Sequence, residues 1–529
     1  MNKLNKEAYE MFAGEDWPSY DAYISGVDIK NKSVLEEILN LEKNSAKINI
    51  GYDYNSVKPL HVNFDTLTND QKFKLVDSKV FCMMPWVHLH GFPDGRAYPC
   101  CFADYWHPVG NLRQNTMAEI WNNDNFKKLR INMLNETPSK ECKNCYEREE
   151  HGFFSLRNDA NKTYGHHIED TKKTNPDGTH PEFQIRYWDV RFSNLCNFSC
   201  RSCGPIFSSN WYSDHVKMYN RKPDVLGREM ARVEYTAGNE DAMLEQMLPH
   251  IPYLEQVYFA GGEPLIMKEH YFLLEKLIEH GKTDIRIQYN TNFSELRYKD
   301  KHVFDYWKYF KNVSVGASLD ASGERAELMR KGTNWAQTLE NRRRMIQEVP
   351  HVDFYISATV SAMNVLHVLD FHKEWTDLGL IKAKDFNINL CQSPNWYRAN
   401  IFPKEFKDKI IVPAYERHIE WLRPIDPLKR ATNGYESLLK FIQTDNSDIQ
   451  IEINQFEYES HKGSSWPDWN DFQLGKRTDD EAINKEIEEF VKEKKQTVEF
   501  ESFKVQIKKL DDIRNENFWK VFSEFNELA

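Results

Sequence analysis

The chain has 529 residues, 40% of them hydrophobic and 13% aromatic, enough to bury at least one large core and to build about two to four structural units. Its formal net charge is −12 and its mean hydropathy −0.71, with no long basic run, which argues against a nucleic-acid substrate because phosphate neutralisation needs clustered Lys and Arg. No apolar run approaches the roughly 20 residues of a membrane span, and the stretch from Met1 to Ser45 lacks the basic start and apolar centre of a signal peptide, so the expected setting is cytoplasmic with no membrane partner. In such a setting nine cysteines read as metal ligands rather than disulfides.

In chain order, the first cysteines are Cys82, the neighbours Cys100 and Cys101, and Cys142 with Cys145. Asp94-Gly95 is a hairpin turn signal, which puts Cys82 and Cys100 on or beside paired strands, while Cys142 and Cys145 follow a helical stretch from Met117 to Asn135. Four thiolates here could close the shell of one zinc ion or of one iron–sulfur cluster, and spacing alone does not choose. Adjacent strand residues point to opposite faces, so Cys100 and Cys101 do not easily serve the same centre. His88 and His90 share a strand face and read as ordinary polar packing, with cluster ligation as their other reading. The polar, Gly/Pro-punctuated segment from Asn158 to Pro181 reads as a linker.

From Arg186 onward, strand-like and helix-like segments alternate, the pattern of a parallel sheet wrapped by helices. Six strands are expected: Arg186 to Phe192, Gln256 to Ala260, Asp284 to Tyr289, Asn312 to Leu319, Asp353 to Thr359 and Asp385 to Leu390. Between them lie amphipathic stretches such as His270 to His280, with Leu273, Leu274, Leu277 and Ile278 at helical spacing. Just after the first strand comes Cys196-Asn-Phe-Ser-Cys200-Arg-Ser-Cys203. Three thiolates on a four-iron cubane leave one iron open to a ligand that is not protein, whereas a structural zinc site closes with four ligands, so this CxxxCxxC triple fits zinc poorly. After Phe402 the expectation is mainly helical: Pro403 to Leu422, a charged helix from Glu481 to Lys495 behind an aromatic loop from Ser464 to Trp469, and a last segment whose Phe518, Val521, Phe522 and Phe525 pack on the rest.

The CxxxCxxC triple, together with Tyr258-Phe-Ala-Gly261-Gly262-Glu263-Pro264 and Ser318-Leu-Asp320 in the same order downstream, resembles the radical S-adenosylmethionine (radical SAM) superfamily. Cys82-Met-Met-Pro-Trp86, Asp94 to Cys100, Gly110-Asn111-Leu112, Ile120-Trp121 and Cys142-x2-Cys145 resemble the auxiliary-cluster region of its SPASM and Twitch members. The resemblance implies a partial (β/α)6 TIM-like barrel over 182–400, a Twitch-like domain over 76–157, a linker over 158–181, an N-terminal extension over 1–75 and a helical covering region over 401–529. It also implies two 4Fe-4S clusters, one on Cys196, Cys200 and Cys203 and one on Cys82, Cys100, Cys142 and Cys145, with Cys101 turned away. S-adenosylmethionine would be held by Gly261, Gly262, Glu263, Pro264, Ser318, Asp320 and Arg330, with contributions from the Tyr289-to-Asn292 turn and from Asn364. On this reading Gly262→Val should impair S-adenosylmethionine binding while sparing the iron. Two departures from the family pattern stand out: the auxiliary region precedes the barrel instead of following it, and Ser202 stands where an aromatic residue is common, leaving the adenine face to another group such as Phe198.

The implied activity is reductive cleavage of S-adenosylmethionine to a 5′-deoxyadenosyl radical that abstracts a substrate hydrogen, with the auxiliary cluster moving an electron and a flavodoxin- or ferredoxin-like reductant supplying one. A peptide is the expected substrate, to be oxidised, cross-linked or epimerised; a sugar or nucleotide dehydrogenase is the alternative. Cys391, at the end of the sixth strand, is expected to be simply buried, with hydrogen donation as its other reading. A non-catalytic iron–sulfur carrier or a zinc-stabilised binding protein is the more distant alternative, against which the Gly-Gly-Glu-Pro and Ser-x-Asp elements argue.

Overall fold

The computed structural model describes residues 62–150, 155–225, 227–391, 394–444 and 499–528. The expected aromatic loop at Ser464 to Trp469, the charged helix from Glu481 to Lys495 and most of the N-terminal extension lie outside these residues.

The first unit is a small antiparallel sheet, β1 (His90–Gly91), β2 (Arg96–Tyr98) and β3 (Gly110–Asn111), in the order β1-β2-β3. The Asp94-Gly95 signal is realised as the β1–β2 turn: Gly95 has φ +97° and Asp94 Oδ1 accepts from the Arg96 N–H at 3.0 Å. The single helical stretch expected from Met117 to Asn135 is two helices, α1 (Met117–Trp121) and α2 (Asp124–Leu134). Asn123 divides them because its side chain accepts from the Phe126 N–H and caps α2, an alternative to continuing the first helix.

The segment read as a linker is structured. Helix α3 (Leu156–Tyr164) and a 3-10 run over Gly165–Lys173 occupy it, and Ala160, Asn161, Tyr164 and Ile168 are buried there. Its polar residues are spent inward: Asn161 accepts from the Met83 N–H at 2.9 Å, and the Tyr164 hydroxyl donates to Gln256 Oε1 at 2.7 Å.

The main sheet has six parallel strands, β4 (Tyr187–Val190), β5 (Gln256–Phe259), β6 (Arg286–Thr291), β7 (Asn312–Ala317), β8 (Asp353–Val360) and β9 (Phe386–Leu390), each beside its sequence neighbour. All six expected strands are present with ends shifted by a few residues. Val257, Phe259, Ile287, Tyr289, Val313, Val315, Phe354, Ile356, Ala358, Val360 and Phe386 alternate onto a buried face. Helices α4 (Lys268–Glu279), α5 (Trp335–Glu348) and α6 (His367–Asp377) cross between strands and share that core; α4 contributes Tyr271, Leu273, Leu274 and Leu277, as the periodicity requires. The opposite face carries Gln256, Tyr258, Gln288, Asn290, Ser314, Tyr355, Ser357, Asn387 and Asn389, partly joined by Gln256–Gln288 (3.2 Å), Gln288–Tyr355 (3.3 Å) and Asn389–Ser357 (3.0 Å) hydrogen bonds.

Beyond the sheet, Pro403 to Leu422 is helical throughout but interrupted by a π turn at Lys407–Ile411 before α7 (Val412–Leu422), where Pro413 has no N–H to continue the regular ladder. Helix α8 (Arg430–Gln443) packs on β9, and the helical segment 499–514 leads to a final turn whose Phe518, Phe522 and Phe525 are buried in the main core as expected. Among the described residues no helix is long and apolar enough to cross a membrane.

Candidate functional site

The C-terminal ends of the parallel strands gather the residues that the sequence singled out, as a sheet of this connectivity does. The loop after β4 carries Cys196, Cys200 and Cys203. It is fixed on one side by a short antiparallel pairing of Ser199–Cys200 with Arg330–Lys331 and by the Arg201 N–H donating to Met329 O at 2.7 Å. Trp211 Nε1 donates to Cys200 O at 2.6 Å, and Phe198 is buried against Gly332, where φ is +113° and a Cβ would lie 2.6 Å from the Phe198 ring. Phe198 is therefore part of the loop's packing and not an open face for a ring to stack on. Burial raises all three thiols, with mutual repulsion of their thiolates adding to it at Cys196 and Cys203. Thiolates there call for a nearby cationic centre.

Glu263 follows β5. Its carboxylate accepts from Thr291 Oγ1 (2.7 Å), the Asn292 N–H (2.7 Å) and the Leu265 N–H (3.1 Å), while its own N–H donates to Leu195 O at 2.8 Å. Burial pushes its pKa up to about 7 against those three donors and the charge of Arg330. Gly261 and Gly262 reach this position with φ +78° and +58°. A Cβ on Gly262 would lie 2.3 Å from Leu195 O, one residue before Cys196. That wall is cluster-loop backbone, so a side chain at 262 displaces the cysteine loop itself; the expectation that Gly262→Val spares the iron is revised accordingly. Pro264 opens the short turn Pro264–Ile266 and supplies no donor.

Ser318 and Asp320 leave β7. The Ser318 N–H donates to Thr291 O at 2.7 Å, and Asp320 accepts from the Thr359 N–H (2.8 Å) and from Arg330 Nε (2.7 Å), with Asn364 Nδ2 donating to its backbone oxygen at 2.7 Å. Arg330, expected to meet a carboxylate of S-adenosylmethionine, is thus paired with Asp320, and its Nη1 lies 3.6 Å from Cys200 Sγ. Asn292 Nδ2 donates to Asn197 Oδ1 at 2.8 Å and ties the β6 turn to the cysteine loop. Asn197 carried no signal in the sequence; its position between two cysteines was the only hint. Cys391 is buried, as expected, with its pKa pushed to about 12 by burial.

A clamp from the far end of the chain also escaped sequence reasoning. Arg201, between Cys200 and Cys203, is buried and pairs with Asp511 and, at 2.6 Å, with Glu516. Arg514 reaches Asp214 at 2.8 Å and lies over the Trp211 ring at 5.0 Å. No spacing rule links positions 310 residues apart.

The second cysteine set lies in the first unit. Cys82, Cys100, Cys142 and Cys145 line one cavity with Met84, Met133 and Arg157. Cys101 does not line it; burial raises its thiol's pKa, with the nearby negative charge of Asp189 on β4 adding to it. Burial raises the pKa of Cys82 to about 12 and those of Cys100 and Cys142 well above the usual thiol value. None of the nine cysteines forms a disulfide. Among the described residues no three cysteine sulfurs come within 4.8 Å of one another, whereas sulfurs on one tetrahedral zinc at about 2.3 Å would sit about 3.8 Å apart.

Residues 82–146 match the family model SPASM, an iron-sulfur cluster-binding domain, and residues 190–362 match the model of the radical SAM superfamily. No curated protein matches the chain. Similar solved structures include anSMEcpe with bound AdoMet (17% identity, TM-score 0.31, 48% of this chain and 60% of that one). Another is Streptococcus suis SuiB bound to S-adenosylmethionine (13% identity, TM-score 0.31, 57% of this chain and 64% of that one). The chain spans about three fifths of the length of the solved structures it matches. By sequence family, residues 82–146 are similar to an iron–sulfur cluster-binding domain and residues 190–362 to the radical SAM superfamily.

Proposed function

We propose that this protein is a radical SAM enzyme that modifies a peptide, with a catalytic 4Fe-4S cluster on Cys196, Cys200 and Cys203 and one auxiliary cluster on Cys82, Cys100, Cys142 and Cys145. The observation that carries the reading is the convergence of three thiols, Glu263 and the Asp320–Arg330 pair at one end of a sequentially ordered parallel sheet. We read that sheet as the partial (β/α)6 barrel of the family. When bound, the cluster and S-adenosylmethionine supply a 5′-deoxyadenosyl radical able to take hydrogen from an unactivated C–H bond.

The chain's own residues prepare the site. Glu263, buried and near neutrality in its pKa, gains most from a cationic amino group, so it orients that end of S-adenosylmethionine. Gly261 and Gly262 let backbone approach closely, and Asp320 and Ser318 suit ribose hydroxyls. Arg330, already held by Asp320, presents remaining guanidinium donors to a carboxylate. Arg157, lining the auxiliary cavity, is paired with Glu149 and donates to Ser78 O and Phe81 O, which fixes the chain around Cys82. The face opposite the core is lined mainly by amides and hydroxyls, with Arg286 at the start of β6 held by Gln256 at 3.2 Å, which suits a peptide backbone better than a row of phosphates. A neutral sugar would satisfy the same groups and is the second reading.

Anaerobically reconstituted protein should hold about eight irons, falling to about four when Cys196, Cys200 and Cys203 are all changed to Ala, and should release 5′-deoxyadenosine from S-adenosylmethionine under a one-electron reductant. Iron content without 5′-deoxyadenosine would leave an electron carrier, and zinc in place of the auxiliary iron would remove that cluster.

A further inference from the structure

Between the auxiliary unit and the main sheet lies a group that neither cysteine set uses. His88, beside β1, His90, on β1, and Asp189, on β4, each present one ligand atom, and these atoms all lie within 4.8 Å of one another. Both histidines are completely buried and Asp189 is 2% exposed. His88 Nδ1 is 2.8 Å from Tyr187 O, so it carries the proton and donates, which leaves Nε2 with a lone pair; that atom is buried and has no partner. His90 Nε2 is likewise buried without a partner, and its Nδ1 stands 3.2 Å from Asp189 Oδ2 without a good hydrogen bond. A buried imidazole nitrogen without a partner is costly unless something fills its lone-pair direction.

We propose that His88, His90 and Asp189 form a mononuclear zinc site that pins the auxiliary unit to the first strand of the sheet. Two imidazoles and one carboxylate are a zinc donor set, and solvent completes the tetrahedron; all-oxygen cations such as calcium would find too few oxygens. The surroundings supply the outer partners that zinc sites use to orient their ligands: Tyr187 O on the far nitrogen of His88, and Arg191 on Asp189, with Nε to Oδ1 at 3.2 Å and Nη2 to Oδ2 at 3.5 Å, the Oδ2 that also stands 3.2 Å from His90 Nδ1. Arg191 also places a positive charge nearby and limits the affinity. The Cys101 thiol stands outside the ligand set. The site has no cysteine ligand and does not rest on the enzymatic reading above.

The test is zinc and iron content of the anaerobically reconstituted full-length protein after dialysis against zinc sulfate and desalting, with X-ray absorption at the zinc edge. About one zinc per chain is expected beyond the iron, with a nitrogen and oxygen shell. His90→Ala and, should it fold poorly, His88→Gln are each expected to lower zinc at least about tenfold with iron unchanged. Absence of zinc, a sulfur shell around it, or zinc retained in both variants would overturn the site. Because the iron count is read in the same samples, loss of the zinc site and loss of the cluster reading remain separate results.

Discussion

Gly262→Ala is the smallest change that tests how the Gly-Gly-Glu-Pro turn supports the cysteine loop. At φ +58° an alanine costs about 1 to 2 kcal/mol relative to glycine. Its methyl would also stand 2.3 Å from Leu195 O and 2.8 Å from Met267 Cε. The methionine end can swing away, but the carbonyl is backbone. It must retreat by roughly 1 Å to reach ordinary contact, which breaks the 2.8 Å bond it accepts from the Glu263 N–H, a further 0.5 to 1.5 kcal/mol or so. The local penalty is therefore about 2 to 3 kcal/mol, placed on the two segments that hold Cys196 and Glu263. Iron per chain, 5′-deoxyadenosine formation and the thermal midpoint should be measured on the same anaerobic preparation. The expected result is a lower iron content together with 5′-deoxyadenosine formation reduced at least about tenfold, for two local displacements of this size. A variant with wild-type iron, turnover and midpoint would refute the argument that this close approach positions the loop.

Arg201→Ala should take away the ion pair of Asp511, leaving it the Phe518 N–H, and leave Glu516 with Lys331 alone; since these carboxylates are 14% and 16% exposed, the loss is set at the low end of the buried-pair range, about 3 kcal/mol, and should appear as earlier proteolysis of the 499–528 segment. Equal protease resistance in the variant would count against the clamp. Cys100→Ala should abolish the auxiliary cluster's EPR signal while Cys101→Ala retains it, because only Cys100 lines the four-cysteine cavity; the reverse outcome would exchange their roles. His270 is fully buried, 2.9 Å from the Tyr289 hydroxyl, and burial lowers its pKa to about 3 from 6.5. The unfolded chain therefore binds a proton there that the folded chain refuses, so stability should fall as pH drops below about 6.5, by up to about 1.4 kcal/mol per unit from this group. His270→Phe should flatten the urea midpoint's dependence between about pH 7 and pH 5, and an unchanged slope would contradict the assignment.

The sequence by itself determined the chain's local chemistry and its periodicities. Six strands were legible because their apolar residues alternate onto one face, and α4 because its leucines recur at helical spacing. The hairpin at Asp94-Gly95 was legible because a glycine at positive φ is a local requirement. The cysteine triple, Glu263 and the Ser318-to-Asp320 strand end were legible because each motif is contiguous. The tertiary structure decided what depends on pairing across distance. Residues 158–181 look like a linker because their polar side chains resemble solvated ones, yet Asn161 and Tyr164 bury theirs against Met83 and Gln256. From sequence alone, Asp320 and Arg330 are expected at different parts of one ligand, the ribose and the carboxylate of S-adenosylmethionine, and only the folding of the segment after β7 against the cysteine loop makes them a pair. Cys100 and Cys101 are chemically identical neighbours, separated by which packed unit each faces. Arg201 and Asp511, like His90 and Asp189, meet because long-range burial brings charges and lone pairs into a low-dielectric interior, where each must find a partner that composition and spacing do not name.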